Sequence, residues 1–161
     1  MKSSIFFPYG IVCPSTQPEV ADAILDEFFI IAKELNIKAC VAFGLCLGLY
    51  RDGGYIKEDN DLDVVVIAPV GDERLTKALK EHGFGVGAYH SGQGRNTHFY
   101  RNKILLDVFW RQMGEFFMPV KYDMIDYNGK QYPAPTPIEE YLSKCYTNWR
   151  IPSDEMTRYY G

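Results

Sequence analysis

The sequence predicts an α+β fold, a mixed β-sheet with helices packed on one side. Three observations predict it. Apolar residues recur at helical spacing through residues 18–36 and again through 72–82. Beyond Gly83, short apolar runs bounded by Gly, Asn and Pro replace that period. Asn128-Gly129 then separates two such runs, which is the strongest short-range hairpin signal in the chain.

At 161 residues the chain is long enough to bury a real core, and residues 1–161 are read as one domain. Residues 1–17 read as an irregular arm, pinned by Ile5, Phe6 and Phe7. The first helix, 18–36, turns Val20, Ile24, Leu25, Phe28, Ile31 and Leu35 inward. Gln17 or Thr16 caps it, Pro18 suits its first turn and Asn36 its end. Residues 38–43 read as a buried strand ending at Gly44, 45–50 as a short helix, and 51–58, with Gly53-Gly54, as a loop. A second strand, 62–67, stops at Ala68-Pro69. The second amphipathic helix, 72–82, faces Leu75, Ala78 and Leu79 inward. Strands are expected at 84–90, 97–101 and 104–110, separated by Ser91-Gly92-Gln93-Gly94 and by a tight turn at Asn102-Lys103. The Asn128-Gly129 hairpin joins 122–127 to 130–132, and Pro133, Pro135 and Pro137 lead into a last helix, 138–146. No repeat, low-complexity segment or interdomain linker interrupts this order.

Composition narrows the function. A hydrophobic fraction of 47% agrees with a compact fold, and no apolar run reaches membrane-spanning length. The first residues lack the basic start and long apolar stretch of a signal peptide, and the four cysteines show neither a Cys-x-x-Cys pair nor zinc spacing. Cys40, Cys46 and Cys145 lie in apolar surroundings and read as reduced core residues, so the expected location is cytoplasmic. A net charge of −4 argues against a nucleic-acid partner, whose affinity comes mostly from Lys and Arg on phosphates. A small, metal-escorted anion suits this balance better.

The chemistry concentrates in Gly44-Leu45-Cys46-Leu47-Gly48 and in Asp59-Asn60-Asp61-Leu62-Asp63. Carboxylates on alternate residues of a strand point to one face, about 7 Å apart at the backbone. There they can lean together on a hard cation, which also removes their mutual repulsion. The Gly-rich turn upstream allows close backbone approach of the kind a phosphate needs. Asp107 is an acid inside the apolar strand Ile104-Leu105-Leu106-Asp107-Val108-Phe109-Trp110, which is costly unless it is paired or cation-bound. Asp61, Asp63 and Asp107 are therefore the expected metal ligands and catalytic acids, for one or two Mg²⁺ (or Mn²⁺) on a nucleotide phosphate. Asp107 is also a candidate proton acceptor. Asp59 reads as a loop acid or helper. Arg51 reads as a phosphate or scaffold contact, with a simple pair to Asp52 or Glu58 as the alternative. His98 reads as a structural histidine; Arg95 and Asn96 are minor phosphate candidates.

In order, these segments resemble the nucleotidyltransferase (polymerase β-like) superfamily, and within it the LicD/fukutin-type branch. The likeness runs through Gly44, Leu47, Gly48, Arg51, Gly54-Tyr55-Ile56, Asp59-Asn60-Asp61-Leu62-Asp63 and Leu106-Asp107-Val108-Phe109. It closes with Tyr132-Pro133-Ala134-Pro135, Glu140-Tyr141-Leu142 and Tyr146-Thr147-Asn148-Trp149. The resemblance implies a nucleotidyltransferase-like sheet, with metal on Asp61, Asp63 and Asp107, and Gly44, Gly48 and Arg51 around the donor phosphates. It implies a nucleotide donor, either a nucleoside triphosphate or a CDP-alcohol, and a hydroxyl acceptor such as a cell-surface glycan. In the branch, the group moved is a phospho-alcohol such as phosphocholine. Leu45 stands where the superfamily has a Ser or Thr hydroxyl, Asn60 where the branch has an acid, and Thr147 where it has Gly. Two rival readings follow: a degenerate module that binds nucleotide or metal without turnover, and a triphosphate-using enzyme that modifies a small molecule or a protein.

Overall fold

The computed structural model describes residues 10–90, 95–112 and 122–152. The expected pins Ile5, Phe6 and Phe7 and the Ser91-Gly92-Gln93-Gly94 turn lie outside the described residues. A 3₁₀ turn at Pro14–Thr16 leads into α1 (Pro18–Glu34). Then come β1 (Ala39–Val41), α2 (Phe43–Leu47), a π-helical turn (Gly48–Asp52), β2 (Leu62–Ile67) and α3 (Glu73–Glu81). Next are β3 (Gly85–His90), β4 (Asn96–Arg101), β5 (Ile104–Arg111), β6 (Tyr122–Tyr127), β7 (Lys130–Pro135) and α4 (Ile138–Cys145). Five strands form one sheet in the order β1-β2-β5-β4-β3, and β6 and β7 form a separate hairpin. β2 and β5 are parallel, while the other pairs of the large sheet are antiparallel. The mixed sheet and α+β class expected from the sequence are what the chain adopts.

Strand alternation sorts the sheet into two faces. One carries Leu62, Val64 and Val66 of β2, Leu106, Val108 and Trp110 of β5, and Thr97 and Phe99 of β4, all fully buried. The Trp110 indole N–H donates to Thr97 Oγ1 at 2.9 Å, so the one polar atom of that large ring is satisfied in the core. Arg101, in phase with Phe99, donates to Glu27 of α1 and to the His82 carbonyl after α3, which ties both helices to this face. The other face carries Asp63, Val65, Asp107, Phe109 and His98.

Local signals act as expected at most junctions. The Asp72 carboxylate accepts from the backbone N–H groups of Arg74 and Leu75, a side-chain cap for α3. Asn102 and Lys103 both take positive φ (53° and 64°), as do Asn128 and Gly129 (51° and 76°). Those values suit the two-residue turns that match strand twist. Asn36, at φ 55°, ends the α1 segment.

Several elements differ from expectation, most of them by a residue or two at an end. The first strand spans Ala39–Val41 and not 38–43, because Phe43 already opens α2 with φ 44°. The short helix is not 45–50: it starts two residues earlier and widens into a π turn that ends at Gly53, φ 67°. Gln17 stands at the N-cap of α1, its carbonyl accepting from the Ala21 N–H at 3.1 Å, but makes no side-chain cap bond; Thr16 Oγ1 donates to the Cys13 carbonyl at 2.6 Å. The seventh strand continues through Pro133 to Pro135. Pro133 and Pro135 fall on the same phase of a two-stranded ladder, in which only alternate residues need donate.

Candidate functional site

β2 opens directly after the acidic run, and its second residue is Asp63, 4% exposed. One carboxylate oxygen each from Asp59, Asp61 and Asp63 lies within 4.8 Å of the others. At that spacing two ionised carboxylates repel by about 3 kcal/mol at the effective dielectric of a protein surface. Asp59, 7% exposed, and Asp63 are also largely cut off from the water that would screen them. A donor set of carboxylate oxygens alone is the chemistry of a hard divalent ion such as Mg²⁺ or Mn²⁺. The residues present fit that ion.

The loop that brings Asp59 inward is anchored on both sides. The Tyr55 hydroxyl donates to Asp22 of α1, and Ser15 Oγ donates to the Lys57 carbonyl at 2.9 Å. Asp59 then settles against Gly44. A Cβ at position 44 would collide with Asp59 Oδ2, so the glycine of the turn is what leaves room for the acid. Gly48 does the same for backbone: a Cβ there would lie 2.5 Å from the Gly54 carbonyl oxygen. Both glycines thus serve close approach, and in each case the approaching group belongs to the protein itself. Arg51 is committed likewise. Its Nε and NH2 donate to the Asp52 carboxylate at 2.7 and 2.8 Å, and NH1 donates to the Trp149 carbonyl at 2.9 Å.

Asp107 sits beside Asp63, because the parallel register of β2 and β5 pairs the two residues directly. It is 5% exposed and on the same face of the sheet. It does not belong to the group of mutually close carboxylates. Its Oδ1 instead accepts from Asn96 Nδ2 at 2.8 Å and lies 3.6 Å from His98 Nε2. His98 and Asp107 are partners in the β4–β5 ladder, and Asn96, two residues earlier, shares the face.

The start of α2 is held from the far end of the chain. Phe43 takes φ 44°, a strained value for a large side chain, and its N–H donates to the Tyr141 hydroxyl of α4 at 2.8 Å. Its ring meets Phe109 of β5 at 5.0 Å between centroids. Burial pushes the Tyr141 phenol well above its ordinary range, so it remains a neutral hydrogen-bonding group. Burial likewise pushes the Cys40 thiol up to about 12 and the Cys46 thiol upward, which agrees with inert core cysteines.

The structure therefore brings together Asp61 and Asp63 as expected and places Asp107 next to them. It adds Asp59, Asn96 and Tyr141, which sequence reasoning left in minor roles. Asp59 had a signal in the sequence, since it is in phase with Asp61 and Asp63. Asn96 read only as a minor phosphate candidate and Tyr141 only as part of the closing resemblance; neither pointed to its actual partner, which is 11 and 98 residues away.

No family model matches the chain, and no curated protein matches it. Solved structures do. The antibiotic-resistance factor ANT(2'')-Ia in solution superposes with a TM-score of 0.56 at 15% identity, over 73% of this chain and 65% of that one. A crystal structure of ANT(2'')-Ia with adenylyl-2''-tobramycin gives 0.51 at 14% identity, over 71% and 68%. The lincosamide antibiotic adenylyltransferase LnuA, bound to lincomycin, gives 0.53 at 13% identity, over 73% and 83%. The present chain thus spans just under two thirds of the first of these proteins. These likenesses define a nucleotidyltransferase-like fold. Among the described residues no helix is long and apolar enough to cross a membrane.

Proposed function

We propose that this chain is a metal-dependent transferase that moves a nucleotidyl or phospho-alcohol group from a nucleotide donor to a hydroxyl acceptor. The observation that carries this reading is the convergence of Asp59, Asp61 and Asp63 beside Asp107 on one face of a nucleotidyltransferase-like sheet. Asp61 and Asp63, joined by Asp59, would hold Mg²⁺ or Mn²⁺. When bound, such an ion neutralises donor phosphate charge and favours in-line displacement. The chain's own part begins with Asp107, whose buried carboxylate accepts the proton of the attacking hydroxyl. The new bond joins the acceptor oxygen to the donor phosphorus. The bond that breaks joins that phosphorus to the leaving group, which is pyrophosphate from a triphosphate or cytidine monophosphate from a CDP-alcohol. Gly44 and Gly48 hold the α2 turn close to this face, and Arg51 braces it against the Trp149 carbonyl. The resemblance in the acidic run favours a CDP-alcohol donor, phosphocholine among them, and a glycan acceptor.

One observation favours the rival reading of a binding module without turnover. Leu45, in place of a phosphate-holding hydroxyl, is 3% exposed and belongs to the core. The two readings separate in one experiment. Nucleoside triphosphates and CDP-alcohols are incubated with the protein, Mg²⁺ and a panel of hydroxyl acceptors, and product is followed by mass spectrometry. Product that disappears in Asp63→Asn supports the transferase. Thermal stabilisation by nucleotide and Mg²⁺ with no product from any donor supports the module.

A further inference from the structure

Two facts about Asp107 stand in tension with a simple trio of metal ligands. Its Cα is the register partner of Asp63, yet its carboxylate is outside the group formed by Asp59, Asp61 and Asp63. The side chains that engage it come from β4, on the opposite edge of β5. Asn96 Nδ2 donates to Asp107 Oδ1 at 2.8 Å and lies 3.4 Å from His98 Nε2, which itself lies 3.6 Å from the same oxygen. A carboxylate that accepts a good amide hydrogen bond in a largely buried position has a defined direction. That direction is toward β4.

We infer that Asn96 is a positioning residue that holds Asp107 out of the metal-binding group and so reserves it as a proton acceptor. The inference rests on the proposed function, and it assigns separate tasks to acids that the sequence presents as equivalents. Asp59, Asp61 and Asp63 share one ion; Asp107 is kept beside it by an amide that cannot ionise. Without Asn96, the Asp107 side chain is free to rotate toward the neighbouring strand and to add a fourth carboxylate to the ion. Affinity for a hard cation rises with the number of charged oxygen ligands. Loss of Asn96 is therefore expected to tighten metal binding, whereas loss of a merely structural hydrogen bond would weaken it or leave it alone.

The test titrates the intact protein with Mn²⁺ alone and reads free Mn²⁺ by electron paramagnetic resonance, so no donor or acceptor is needed. In the wild type, Asp107→Asn is expected to change Mn²⁺ affinity by less than about threefold, since Asp107 is not a ligand. Asn96→Ala is expected to tighten binding by about tenfold, and the double variant Asn96→Ala/Asp107→Asn to lose that gain. Asn96→Ser, too short to span the same gap, repeats the measurement if the alanine variant folds poorly. Unchanged or weaker Mn²⁺ binding in a folded Asn96 variant overturns the inference and leaves the metal reading standing. So does a loss of about tenfold or more in Asp107→Asn alone. Failure of the wild type itself to bind Mn²⁺ overturns both.

Discussion

Two sets of acids in this chain obey the same local rule and end in opposite situations. Asp22 and Asp26 are one helical turn apart on α1, just as Asp59, Asp61 and Asp63 stand on alternate residues leading into β2. Each helix acid is surrounded by donors. Asp22 accepts from the hydroxyls of Tyr55 and Tyr127, the latter at 2.9 Å, and from Asn128 Nδ2 at 3.2 Å. Asp26 accepts from the Tyr132 hydroxyl and pairs with Lys130. Burial, aided by those same hydrogen bonds, pushes the Tyr127 phenol up to about 12 and the Tyr55 and Tyr132 phenols upward, so all three remain donors. The acids at β2 are clustered, with one oxygen of each within 4.8 Å of the others. The difference teaches that spacing alone does not mark a site. What sets the two sets apart is that one is spread among tyrosine, asparagine and lysine donors of the β6–β7 hairpin, while the other brings three carboxylates within 4.8 Å of one another.

The largest expected effect comes from breaking the clustered set. Asp63→Asn should lower transfer by about a hundredfold or more, because several kcal/mol of charge stabilisation depend on the bound ion. In chelator the same variant should melt about 3 °C higher, a net gain of roughly 1 kcal/mol once the interactions Asp63 itself makes are set against the relieved repulsion. Calorimetry with EDTA and with Mn²⁺ reads both signs. Asp22→Ala should do the reverse. It strands the Tyr55 and Tyr127 hydroxyls and should cost about 2 kcal/mol in urea unfolding. The rise in melting temperature on adding Mn²⁺ should survive. A lost Mn²⁺ response in Asp22→Ala would mean that the hairpin contact and the site are one unit, and the contrast would fail.

The smallest effect sharpens the comparison through pH. Glu27, also on α1, is held below its ordinary value of 4.5, first by its hydrogen bond from Arg101 and further by His82. A depressed carboxylate contributes stability above its unfolded value and loses it as pH falls through the folded one. Glu27→Gln should therefore lower the urea midpoint slightly at pH 7, flatten its fall below about pH 4.5 and bring variant and wild type together in acid. A fall in midpoint below pH 4.5 as steep as in the wild type would assign that acid sensitivity to other groups.

Much of the scaffold was legible because its signals are local. The bounds of β2 follow from an apolar run between Asp61 and Ala68-Pro69, and those of α3 from the Asp72 cap and the Gly83 stop. The hairpin turns at Asn102-Lys103 and Asn128-Gly129 need positive φ and carry residues that tolerate it. The α2 region was misjudged because Phe43 adopts a backbone value that its own chemistry disfavours. It does so under a hydrogen bond to Tyr141 that no local window contains. In the candidate site, the alternation of acids was legible, but the grouping was not. Which carboxylates meet depends on Gly44 making room for Asp59 and on Asn96 engaging Asp107, and both are contacts between distant segments.

The missing side chain at position 44 has a consequence for reading divergent sequences of this shape. Because Asp59 Oδ2 fills the space a methyl group would need, any larger residue at 44 must move that carboxylate. A copy with alanine or serine at 44 and an intact acid at 59 would carry that acid displaced from its present place. A copy in which both have changed has given up one of the three mutually close carboxylates. That single pair therefore tells whether a divergent copy can form the same cluster.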